Sequence, residues 1–150
     1  MALEGREVLA SGVALLDPDR PDWRYLEALG IAHHENGDDV KAANYLDQVL
    51  LFFVSLRRHD RELDYPPPTA ILRASIHEAD GQYEKAADLY RGLASGSDVA
   101  NHLTYHREAA RLLLEIDLDD EARRMLTRAL ALADDEETSA EIEAQLAELE

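Results

Sequence analysis

No cysteine occurs anywhere in the 150 residues, which removes disulfide frameworks, thiolate metal sites and cysteine nucleophiles together. Lysine is nearly absent as well: of 15 basic residues only Lys41 and Lys85 are lysines, and no basic run stands clear of acids, since Asp60 and Glu62 interrupt Arg57, Arg58 and Arg61. Against 32 acids this leaves a formal charge of −17, a surface that repels polyanions, so nucleic acid is not an expected ligand. Long apolar runs are missing too. The longest is Val49–Val54, VLLFFV, far short of the roughly 18 residues a membrane span needs, so no membrane partner is expected. Glu4 and Glu7 stand where a secretory leader would want basic residues, and the expectation is a cytoplasmic chain.

GxxxxGK[ST], GxSxG, HExxH and GxGxxG are all absent, so no enzyme and no cofactor are expected. Asp38-Asp39 and Asp119-Asp120 sit at turns and helix starts, where caps and the helix dipole favour acids, not as a general acid–base pair. His33-His34 and the pair His102 and His106 have helical spacing for a metal, but His33, His77 and His106 fall in slots that packing inside a helical hairpin explains, and no metal site is assigned.

What is present is repetition. Gly37–Leu50, Gly81–Leu93 and Asp117–Leu130 share one pattern: a turn residue, acids, then an alanine four residues before a large side chain (Ala42 and Leu46, Ala86 and Tyr90, Ala122 and Leu126). Aligned on Gly37, Gly81 and Asp117, the preceding helices carry Gly30, Ala74 and Ala110 at one position, small in every copy, as close antiparallel helices require. Asp22 is a helix N-cap candidate, and Gly37 and Gly81 supply left-handed stops. The spacing predicts a lone helix over Leu3–Leu16, hairpins over about 22–56, 67–97 and 98–133, and a closing helix over 136–149 with Ile142, Leu146 and Leu149 on one stripe: eight helices and no strand in a single domain. Thr69 or Pro68 is expected to open the second hairpin after the stiff Tyr65-Pro66-Pro67-Pro68 spacer, and Asp98 to cap the third.

Leu26, Leu29, Gly30 and His33 occupy the slots of W-x2-L-G-x2-Y, and on these residues the chain resembles the tetratricopeptide repeat (TPR) family. The resemblance implies an all-α, right-handed α-solenoid of about three hairpins with a leading and a capping helix. It further implies a non-enzymatic scaffold, adaptor or chaperone holding a peptide or helix of another protein. The acidic three-repeat layout also resembles the type III secretion chaperones of the TPR class. Family groove positions correspond here to Arg24, Glu27, Ile31 and His34, then Ile71, Ser75 and Glu78, then Arg107 and Arg111. Arg107 and Arg111, one turn apart, suit a partner carboxylate, or else pair with Glu108 or Glu115 as an ordinary solvated face. A second reading is structural: Leu51, Phe52, Phe53, Val54 and Leu56 give one helix apolar surface on every side, enough to build a homodimer.

Overall fold

The computed structural model describes residues 22–57 and 65–150, with the side chains of 56 and 57 left aside. The helix expected over Leu3–Leu16, and Leu56 as an interface side chain, therefore lie outside the described residues. Two compact units divide the chain, residues 1–63 and 64–150.

In the first unit, α1 (Trp23–Glu35) and α2 (Asp39–Arg57) form one hairpin. Asp22 caps α1 as its position predicts, its side chain accepting from the Arg24 backbone N at 3.1 Å. The buried residues Leu26, Leu29, Gly30 and His33 follow helical spacing and turn one stripe onto Ala42, Leu46, Val49, Leu50 and Phe53 of α2. Gly30 is a point of close approach, since a Cβ there would lie 2.7 Å from Leu46 Cδ2. His33 lies parallel to the Tyr45 ring at 5.4 Å, a packed core histidine.

The second unit holds α3 (Pro67–Ala79), α4 (Tyr83–Ala94), a 3-10 turn at Val99–Asn101, α5 (His102–Glu115), α6 (Asp119–Leu132) and α7 (Glu136–Glu148). Each helix packs on the next in sequence, and no strand occurs among the described residues. Small residues let them approach: Ala74, Ala86, Ala87, Ala109, Ala110, Ala122 and Ala129 are buried together with Leu112, Leu113, Met125, Leu126 and Ile142. With Ala86 fully buried, Ala86→Leu is expected to overpack this core and lower stability by about 1–3 kcal/mol, read as a fall in melting temperature.

The three hairpin turns are the same object. Gly37, Gly81 and Asp117 all have positive φ (77°, 75° and 59°). The next backbone N–H reaches back five residues each time, Asp38 to His33 at 2.8 Å, Gln82 to His77 at 2.8 Å and Leu118 to Leu113 at 3.0 Å. This is the bond that satisfies orphan carbonyls at a helix end. The sequence alignment on these residues is thus an alignment of backbone geometry.

Two expected helix starts differ. α3 begins at Pro67, not at Pro68 or Thr69, because a proline in the first turn lacks only a donor that would be unsatisfied anyway. Asp98 does not cap a helix with its side chain. Its carboxylate accepts from Asn101 Nδ2 at 3.1 and 3.0 Å and from the Tyr105 hydroxyl at 2.7 Å, and the chain makes a 3-10 turn before α5. Burial first, and then that bond to Asp98, push the Tyr105 hydroxyl up to about 12, while the same bond holds the Asp98 carboxyl below its ordinary value. This cluster fixes where α5 starts.

Candidate interaction surface

In the first unit the family groove positions lie along α1 away from its buried stripe. Arg24 is exposed with its guanidinium 5.2 Å from the Trp23 ring centre. Glu27 and Ile31 are half-buried, and His34 donates from Nδ1 to Asp39 Oδ1 at 2.7 Å, tying the end of α1 to the start of α2.

In the second unit α3 and α5 carry the corresponding residues. Ile71 and Ser75 are exposed, Arg111 meets Glu78, and Arg107 and Arg111 line one cavity. Arg111 joins the two helices: its Nη1 lies 2.7 Å from Glu78 Oε1, while Nη2 and Nε donate to Glu108 Oε2 at 2.9 and 3.2 Å. At 2.7 Å the contact with Glu78 is a close ion pair that compensates the buried Glu78 Oε1. The Glu78 carboxylate, and after it Glu108, hold the Arg111 guanidinium above its ordinary pKa, so it is always charged. Arg107 donates from Nη2 to Glu141 Oε2 of α7 at 3.3 Å. Between them is a cavity of about 260 Å³ lined by Leu103, Thr104, Arg107, Glu108, Arg111 and Gln145.

Pairing of Arg111 with Glu108 is one of the two alternatives the sequence leaves open. Its bond to Glu78, and the arrival of Glu141 and Gln145, are not anticipated. A signal for the last two exists: 107 to 141 is 34 residues, one TPR period, and 111 to 145 is the same step. Glu141 and Gln145 therefore stand to α7 as the two arginines stand to α5.

On the hydrophobic alternative, Leu51 is 66% exposed and Phe52 half-buried, but Phe53 is buried, edge-on to Trp23 at 5.2 Å. Its ring is committed to the hairpin. Of the histidine pair, His102 is committed, its Nε2 donating to the Gly96 carbonyl at 2.8 Å, while the buried His106 Nδ1 has no hydrogen-bond partner among the described residues. No group of three or more metal-ligating side chains gathers among the described residues.

Burial, then the charges of Arg128 and His102, depress the His106 pKa. A depressed histidine is neutral in the fold, so its contribution is complete above the unfolded value of about 6.5 and is lost as pH falls below it. His106→Gln is expected to flatten the decline of stability between about pH 7 and pH 5, measured by denaturant unfolding at each pH.

These hairpins define an all-α protein of the α-solenoid class, built from TPR-like units. The chain is similar in structure to the crystal structure of a single-substitution variant of nearly identical TPR-like repeats from a Podosopora anserina kinesin light chain candidate, with a TM-score of 0.66 over 99% of this chain and 76% of that one. Sequence identity is 20%, and the likeness is one of fold. No protein-family model and no curated protein sequence matches the chain. Among the described residues no helix is long and apolar enough to cross a membrane.

Proposed function

We propose that the chain is a non-enzymatic protein-interaction scaffold, an adaptor or chaperone in the manner of TPR proteins, that receives a peptide or helix of a partner on the α3/α5/α7 face of its second unit. The observation that carries this reading is an open cavity walled by Arg107, Glu108 and Arg111, whose two arginines are held by Glu141 and Glu78 from the neighbouring helices. Charged side chains held by partners on neighbouring helices are pre-ordered, which lowers the entropy cost of recognition. Type III secretion chaperones are one class with this layout and are included in the proposal. A photo-crosslinking residue at exposed Ser75 or Thr104 is expected to capture partner in cells, while the same residue at exposed Glu84 or Arg124 is not. Capture from the control positions alone moves the site off this face.

Leu51 favours a second reading, a homodimer through the apolar part of α2, because so large an exposed aliphatic side chain beside half-buried Phe52 is surface a partner copy would cover. Substituting Phe53 would test the hairpin core instead. Leu51→Asp is expected to convert a dimer to a folded monomer in size-exclusion chromatography with light scattering, and an unchanged mass would end this reading.

A further inference from the structure

The chemistry of the α3/α5/α7 face says what kind of partner it takes. Both arginines are already engaged, Arg107 by Glu141 and Arg111 by Glu78 and Glu108, so three carboxylates face two guanidinium groups and the face is negative. A partner carboxylate would have to displace one of these glutamates and enter the field of a chain with a formal charge of −17. One acceptor, by contrast, is left over: Gln145 Oε1, whose residue lines the cavity, is buried with no hydrogen-bond partner among the described residues. A buried acceptor lacking a donor calls for an N–H group, and a cationic side chain supplies several at once.

Leu103 offers apolar contact on the cavity wall, and Ile71 is exposed on α3 two turns before Glu78. We propose that this face binds a basic amphipathic segment of another protein, an arginine or lysine entering the cavity while the segment's apolar side lies along Ile71 and Leu103. The inference rests on the scaffold reading above. It reverses the expectation that Arg107 and Arg111 anchor an acid: they hold Glu78, Glu108 and Glu141 in place, and these accept the partner's donors.

Two synthetic helical peptides test it, identical on their apolar side and carrying either arginine or glutamate on the other, titrated by fluorescence anisotropy at about 0.15 M salt, where the Debye length is about 8 Å. The arginine peptide is expected to bind, and Glu108→Gln with Glu141→Gln to weaken it about tenfold. Glu84→Gln with Glu143→Gln removes the same charge elsewhere and is expected to have far less effect, which separates a site from general attraction to an acidic protein. Melting curves show that each variant is folded. If the glutamate peptide binds instead and Arg107→Gln with Arg111→Gln abolishes it, the basic partner is overturned while the scaffold reading stands. If both glutamine pairs weaken the arginine peptide equally, the attraction is unspecific and the inference fails. If no substitution on this face changes the capture of partner by Ser75 or Thr104, the scaffold reading itself fails.

Discussion

Leu46→Ala is expected to destabilise the α1/α2 hairpin by about 2–5 kcal/mol, the range for removing a large aliphatic side chain from a packed core. Leu46 is 0% exposed, and its Cδ2 and Cγ occupy the space a side chain on Gly30 would claim, 2.8 Å or less from an ideal Cβ. The same geometry makes the pair strongly coupled. Gly30→Ala alone gains up to about 1 kcal/mol of helix propensity but drives a methyl into Leu46, a clash costing about 1–3 kcal/mol. With Leu46 truncated, that methyl fills part of the cavity. The double variant is therefore expected to be more stable than Leu46→Ala alone, a sign reversal readable in denaturant melts arranged as a double-mutant cycle. Simple additivity would mean that the helices re-space around the change, and that Gly30 does not set their approach.

Ile142→Ala is expected to cost about 2–4 kcal/mol, concentrated in α7. That helix contributes a single fully buried side chain to the core, Ile142 at 0% exposure, while Leu146 and Leu149 are only partly covered. Asp135 caps its start, accepting from the Thr138 backbone N at 2.7 Å, but an exposed cap cannot replace the lost packing. Arg123 Nη2 also holds the far end through the Leu149 carbonyl at 2.6 Å. Hydrogen exchange should show the amides of α7 exchanging faster while α5 keeps its protection, the pattern of local opening at one end of a repeat stack. Uniform acceleration across the second unit would mean that α7 is integral to the core and not a cap.

Much of this architecture was legible in the residues because the repeat signal is carried by what only one conformation tolerates. Gly37 and Gly81 mark left-handed turns, and Gly30, Ala74 and Ala110 mark close helix contacts, so counting along the chain located the hairpins. Asp117 was legible only by alignment, since an aspartate in a turn reads equally well as a cap. Helix starts were less clear, because Pro67 and Pro68 are both acceptable in a first turn and Asp98 meets two side-chain donors, Asn101 and Tyr105, within a few residues. On the interaction face, the outward direction of Arg107 and Arg111 followed from the burial of Ala110 on the same helix. Which acids they meet did not, because Glu78 and Glu141 come from other helices and their distance depends on how neighbouring helices are spaced.

The three matching turns differ in one respect that matters when the chain is unfolded. A Cβ at Gly37 or Gly81 would meet nothing within 4 Å, so glycine is there for its backbone freedom alone, and that freedom must be surrendered each time those hairpins form. Asp117 reaches the same left-handed geometry with a side chain that holds the unfolded backbone mostly at negative φ, so its turn carries a small local strain that the glycine turns do not. The unfolded chain thus visits the bend between α5 and α6 less often than the other two, and that turn leans more on the packing of the helices it joins.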